Sequence, residues 1–129
     1  MNYITRFIIL LAMLVTGCAQ GQVEKNRSIP VFAYHRFGDS RYPSTNIKME
    51  VFKKQLQYLQ ENNYTVLSLS EALDRLDNGN LPEKPVVLTV DDGYSSFYEN
   101  AFPLLQDYGY PATIFINTSH VGGKSYMNW

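Results

Sequence analysis

Residues Val86-Val87-Leu88-Thr89-Val90 form an almost wholly apolar run that stops abruptly at Asp91-Asp92-Gly93. A strand with one wet face alternates apolar and polar residues, so an unbroken run of this kind predicts a strand covered on both faces, as in a parallel sheet or barrel. Parallel strands must be joined by long crossovers, usually helices. The flanking sequence provides them. Ile29-Pro30-Val31-Phe32-Ala33-Tyr34 is short and rich in strand formers, and runs into His35-Arg36-Phe37 before the turn-prone Gly38-Asp39-Ser40. From Met49 to Asn62, Phe52, Leu56 and Leu59 recur at helical spacing while Lys53, Lys54, Gln57 and Glu61 take the other faces, which predicts an amphipathic helix. A second strand is expected over 64–67. Ser68-Leu69-Ser70-Glu71 then reads as a capping box, opening a helix that runs to about Asp77 and stops at Gly79. Residues 96–108 are again helical in pattern, with Pro103 in the first turn of the second half and Gly109 as the stop, and 111–116 reads as a fourth strand. The alternation of strands and helices predicts an α/β fold. Four strands are too few to close a parallel barrel, and the pattern alone leaves open or closed undecided.

The N-terminus has another character. Phe7 to Val15 is a hydrophobic run preceded by Arg6 and followed by Thr16-Gly17-Cys18, which reads as a targeting leader over 1–17 and is set apart from the fold. Its apolar core falls short of the ~20 residues a membrane span needs. Cys18, after Val15-Thr16-Gly17, resembles a bacterial lipobox, in which the cysteine is lipidated and becomes the new N-terminus. Residues 18–28 are polar and aperiodic, a tether, and the domain is expected over 29–129. Cys18 is the one cysteine of the chain, so the domain has no thiol for catalysis, a disulfide or a cysteine zinc site. The expected location is an exported, lipid-anchored position in the cell envelope, with the lipid as the membrane contact. Lys and Arg number 11 against 12 Asp and Glu, a net charge of −1 without a basic nucleic-acid footprint.

The segment that could carry chemistry is Thr89-Val90-Asp91-Asp92-Gly93-Tyr94, two carboxylates where a buried strand gives out into a glycine turn. Strand C-termini are where α/β folds place their sites. Such a pair can divide labour, one carboxylate binding a divalent metal and the other taking a proton from water; Asp and Gly also favour a plain solvated turn. His35, at the end of the first predicted strand, falls on the same rim as Asp91 and Asp92 and reads as a ligand, an acid or a packed side chain. His120 reads as a loop residue. The ten Tyr, seven Phe and one Trp include Tyr34, Tyr94, Tyr98 and Trp129 near that rim, where aromatic faces suit sugar rings but equally fill cores.

With these motifs in hand, residues 29–129 resemble the N-terminal part of a bacterial polysaccharide deacetylase domain. The resemblance is carried by Phe32-Ala33-Tyr34-His35, the helix with Phe52 and Leu56, Leu81-Pro82-Glu83-Lys84-Pro85, Leu88-Thr89-Val90-Asp91-Asp92-Gly93-Tyr94, Pro111-Ala112-Thr113-Ile114-Phe115-Ile116 and Tyr126-Met127-Asn128-Trp129. The lipobox and Tyr34-His35 draw it toward the exported biofilm branch acting on poly-N-acetylglucosamine. The resemblance implies a partial (β/α) barrel, cut short after the fourth strand, and metal-dependent hydrolysis of the N-acetyl amide of N-acetylglucosamine units. Asp91 would be the catalytic base, Asp92 the ligand of zinc or a similar divalent ion, and His35 the general acid for the departing amine. Val90 stands where the family usually has Phe.

The family also draws two metal-binding histidines from a His-Ser/Thr-x-x-His or similar motif expected beyond Trp129. Since catalytic zinc sites generally use three protein ligands, the 129-residue chain is expected to bind metal poorly and not to turn over substrate. Unpaired strand edges and uncovered helix faces are expected to make it prone to aggregation. Two other readings stand beside the enzyme: a non-catalytic surface lipoprotein or carbohydrate-binding relic of that fold, and a Mg²⁺-binding phosphoacceptor domain.

Overall fold

The computed structural model describes residues 28–129. The leader expected over 1–17 and Cys18, the expected lipidation site, lie outside the described residues, as does nearly all of the expected tether. Among the described residues no helix is long and apolar enough to cross a membrane.

In chain order the elements are β1 (Val31–Tyr34), β2 (Arg36–Phe37), β3 (Asn46–Ile47), α1 (Met49–Glu61), β4 (Thr65–Leu67), α2 (Leu69–Asp77), β5 (Pro85–Asp92), a π-helical turn (Phe97–Ala101) continuing into α3 (Phe102–Tyr108), β6 (Thr113–Ile116) and a 3₁₀ turn (Thr118–His120). The four expected strands are all present, and every pairing in their sheet is parallel. β5 is the hub. Val87 pairs with both Val31 and Leu67, and Thr89 with both Ala33 and Thr113, so β1 holds one edge of β5 while β4 and β6 share the other end to end. The Leu69 N–H donates to Thr113 Oγ1 at 3.1 Å and ties the end of β4 to the start of β6. The short parallel pair β2–β3 has no counterpart in the sequence reading, because two residues are too few to show a period.

The double burial expected for β5 is present, with residues 86–90 no more than 5% exposed. Strand alternation sends Val86, Leu88 and Val90 into one cluster with Phe37, Phe52, Leu56, Phe97 and Leu105, and Val87 into another with Leu67 and Ala72. α1 and the 97–108 helix thus cover one face, and α2 covers part of the other. β1 and β6 are less protected: Val31, Phe32, Phe115 and Ile116 stand exposed.

Local chemistry explains where the elements depart from expectation. Ser68 accepts from the Glu71 N–H at 3.3 Å, which is half of the capping box. The reciprocal half is absent because the Glu71 carboxylate turns instead to Arg75 one helical turn on, at 2.9 to 3.0 Å. The helix over 96–108 is wound as π before it becomes α. Pro103 has no N–H to return to the carbonyl four residues back, so the regular ladder lapses there. The fourth strand starts at Thr113 rather than Pro111, since Pro111 cannot donate to a ladder.

Candidate functional site

β5 delivers Asp91 and Asp92 to the C-terminal rim of the sheet, and β1 ends one residue before His35 on the same rim. Parallel pairing makes this inevitable, because Tyr34 is in register with Val90. His35 Nε2 consequently lies 3.8 Å from Asp91 Oδ2, with the two side chains 38% and 37% exposed. That separation is within ion-pair reach but beyond a hydrogen bond. Both groups remain open to a third molecule.

Asp92 departs from strand geometry. Its φ is 70°, in the left-handed region that non-glycine residues avoid at a cost of order 1–3 kcal/mol, and Asp is among the few that tolerate it. A regular strand would send Asp91 and Asp92 to opposite faces, and this turn breaks the alternation. Gly93 continues at φ 73°, a conformation that glycine adopts without steric cost. The 122–127 segment folds back and pins the turn: Met127 N–H donates to Gly93 O and Ser95 N–H to Ser125 O, both at 3.0 Å, and Tyr94 bridges Tyr126 antiparallel.

A stack of flat groups the sequence did not reveal runs beside the turn. The Arg36 guanidinium lies 3.9 Å from the Tyr42 ring centroid and 3.4 Å from that of Tyr94. Tyr94 packs on Tyr126 at 4.8 Å, and Tyr126 on His120 at 4.9 Å. Arg36 is 9% exposed and its Nε has no hydrogen-bond partner. The two ring faces and Asp39, 3.8 Å from its Nη1, are what offset burying this cation. Burial, the hydrogen bond with Tyr126 and the nearby Asp92 carboxylate push the Tyr94 hydroxyl up to about 12, against the opposing pull of Arg36. Tyr94 stays neutral at physiological pH. The only sequence signal for the stack is the position of Arg36 directly after His35, and no periodicity points to a partner so far along the chain.

The aromatics expected near the rim divide. Tyr94 is there. Tyr34 is not, since strand alternation turns it away from the His35 side into the core against Phe37 and Phe52, where its hydroxyl donates to Gln55 Oε1 at 2.9 Å. Burial raises its pKa to about 12. Tyr98 stacks on Phe102 along the helix, and Trp129 is exposed without a ring partner among the described residues. His120 closes the 3₁₀ turn after β6 rather than lying in an irregular loop, close to Ser119 Oγ at 3.1 Å. Among the described residues no three His, Cys, Asp or Glu side chains converge as metal donors. A divalent ion therefore does not fit the described residues as a three-ligand catalytic centre.

Residues 78–127 match the polysaccharide deacetylase family. The chain is 32% identical over 91 residues to the poly-beta-1,6-N-acetyl-D-glucosamine N-deacetylase of Staphylococcus epidermidis, covering 70% of this chain and 32% of that protein. In three dimensions it is similar to IcaB from Ammonifex degensii, with 34% identity, a TM-score of 0.67 and coverage of 78% of this chain and 44% of that one. It is likewise similar to the Streptococcus pyogenes deacetylase PplD, solved in complex with acetate, with 30% identity, a TM-score of 0.69 and coverage of 78% and 48%. The chain spans about a third of the length of the curated relatives it matches. A phosphoacceptor reading of the aspartate pair is displaced by these matches. With motif, topology and relatives in agreement, the chain belongs to the polysaccharide deacetylase family and carries part of its domain.

Proposed function

We propose that this chain carries the proton-transfer half of a site that removes N-acetyl groups from an N-acetylglucosamine polysaccharide. The observation behind the proposal is the approach of His35 to Asp91 at the end of a buried strand, beside Asp92, in a chain of this family. Asp91 acts as general base, taking a proton from the water that attacks the acetyl carbonyl. His35 acts as general acid, giving a proton to the amine as the C–N bond breaks. Amines are poor leaving groups unless protonated, so the two residues serve opposite ends of one hydrolysis. Because they are close without being hydrogen-bonded, neither is locked against substrate. Asp92 is the residue this chain would contribute to a zinc or similar divalent ion, which would supply Lewis-acid polarisation of the carbonyl; the other ligands are not found among the described residues. The setting for this activity is the cell envelope, reached through the leader and held by lipid on Cys18.

The test is a graft. The chain replaces the matching segment of the Staphylococcus epidermidis deacetylase, and acetate release from poly-β-1,6-N-acetylglucosamine is measured. The chimera should release acetate, Asp91→Asn should lower the rate by about 10²–10⁴-fold and His35→Ala by a similar factor, and the ungrafted chain should release none. A chimera that binds the polymer but never hydrolyses it would identify a carbohydrate-binding relic instead. An active chimera indifferent to Asp91→Asn would remove the base assignment.

A further inference from the structure

His35 and Asp91 sit where the sheet has run out. The β1–β5 ladder ends at Tyr34–Val90, one residue short of both, so strand pairing does not by itself hold the two side chains at 3.8 Å. On the β5 side the backbone then enters a costly shape, with Asp92 and Gly93 consecutively left-handed at φ 70° and 73°. A non-glycine residue persists in that region only where its surroundings over-determine it.

The next link across the rim is made by side chains. Arg36 follows His35, Tyr94 follows Gly93, and the Arg36 guanidinium lies 3.4 Å from the Tyr94 ring centroid and 3.9 Å from that of Tyr42. Both ends of this contact are anchored. On one side the Arg36 N–H donates to Thr45 O at 3.0 Å, the Phe37 N–H donates to Ser96 Oγ at 3.2 Å, and Asn100 Nδ2 donates to Phe37 O at 2.8 Å. On the other, Tyr94 bridges Tyr126 antiparallel and packs on its ring at 4.8 Å. His35 and Asp91 are thus bracketed, by Tyr34–Val90 before them and by Arg36–Tyr94 after them.

The cation is not placed to neutralise a carboxylate. Asp39 beside it is held by Arg41 at 2.8 and 2.9 Å and stands 3.8 Å from Arg36 Nη1, beyond a hydrogen bond. Arg36 is 9% exposed, and its Nε has no hydrogen-bond partner. Burying a cation carries a desolvation penalty, and here two ring faces are its main offset. A planar, weakly hydrated guanidinium suits that position, whereas a lysine ammonium is a compact and strongly hydrated point charge.

We infer that Arg36 is a positioning residue: gripped by Tyr42 and Tyr94, it fixes the Asp91-Asp92-Gly93 turn to the strand end that carries His35, and so sets the separation of acid and base. The inference rests on the deacetylase reading above and adds to it a residue that acts through others.

Two measurements test it, with Arg36→Lys keeping the charge but not the plane, Tyr94→Leu removing the ring and Tyr94→Phe keeping it. The first is hydrogen exchange on the full chain, read at the Met127 and Ser95 amides, which bond Gly93 O and Ser125 O across the turn. Their exchange should speed up about tenfold in Arg36→Lys and in Tyr94→Leu, the scale of one desolvated cation–π contact, and stay at the wild-type rate in Tyr94→Phe. The Val87 amide, bonded to Pro30 O in the buried strand, should not change. The double variant Arg36→Lys/Tyr94→Leu should be no faster than either single one, because both break the same contact. The second is acetate release by the grafted enzyme. Arg36→Lys and Tyr94→Leu should lower kcat by up to about 10²-fold with KM unchanged, as when reacting groups are misplaced by about 1 Å, and Tyr94→Phe should restore it.

Faster exchange with kcat intact would make Arg36 a structural residue and overturn the inference. Exchange in Arg36→Lys at the wild-type rate would reduce the cation to a counter-charge for Asp39, with the same result. Exchange that quickens equally at Val87 would report lost global stability and refute positioning. If the wild-type graft releases no acetate, the deacetylase reading itself fails and the positioning role falls with it, whatever the exchange rates show of the turn.

Discussion

The two ends of β5 carry opposite kinds of residue within one strand. Residues 86–90 are buried on both faces, pair with neighbours on both edges and hold nothing that titrates. The next three residues hold two half-exposed carboxylates and two consecutive left-handed backbone conformations. The first stretch supplies packing energy and the second spends some of it on geometry. The lesson is that stability and chemistry are segregated along this strand within a distance of a few residues, so substitutions on either side of the Val90–Asp91 boundary should fail in different ways.

The sharpest way to break that contrast is Asp91→Asn. It should remove about 10²–10⁴-fold of acetate release in the grafted enzyme while leaving the thermal midpoint of the isolated chain within a degree or two. A large fall in the midpoint would show that the rim carbonyls and carboxylates are also structural. Three residues earlier, in the packed stretch, Leu88→Ala should do the reverse. Leu88 is almost fully buried against Phe37 and Phe52 on α1's side of the sheet, so its truncation should cost about 2–5 kcal/mol in chemical denaturation.

Tyr34 lies at the boundary, in register with Val90, and probes it through pH. Its hydroxyl is raised to about 12 by burial, from an ordinary value of 10.0. Above pH 10 the unfolded chain loses this proton while the folded chain keeps it, so the contribution to stability is complete below pH 10 and is lost as pH rises toward 12. Two pH units at 1.36 kcal/mol each make this about 2–3 kcal/mol. Denaturation measured from pH 9 to 12 should show the decline, and Tyr34→Phe should flatten it. The smallest effect is expected at Asp92. Asp92→Gly relieves a left-handed aspartate but frees the unfolded backbone, so stability should rise by a few tenths to about 1 kcal/mol. A loss of more than 1 kcal/mol would mean that the Asp92 carboxylate holds the turn together.

Much of this was legible along the chain because it depends on local period and on residues near one another in sequence. The helix of Phe52, Leu56 and Leu59, the Ser68 cap, the glycine stop at Gly109 and the double burial of β5 all have that origin. The meeting of His35 with Asp91 was anticipated only as a shared rim; the 3.8 Å approach depends on the register that sets Tyr34 against Val90. Tyr34 reaches the level of the rim, in register with Val90, but turns its ring into the core against Phe37 and Phe52, a choice of side that strand direction alone does not reveal. Cys18 and the leader, read from composition and motif, lie outside the described residues.

What the sequence by itself determined is the parallel α/β architecture and the position of an acidic turn at the end of its most buried strand. A wholly apolar strand has no other way to satisfy both faces than to be sandwiched by helices, and aspartate and glycine are the residues that can leave such a strand sharply. Only the tertiary structure decided that β1 and not β4 lies across β5 from β6, that Arg36 is clamped between Tyr42 and Tyr94, and that the 122–127 segment returns to hold the turn. Those contacts join residues tens of positions apart. Their geometry follows from register and packing, to which no local pattern in the chain corresponds.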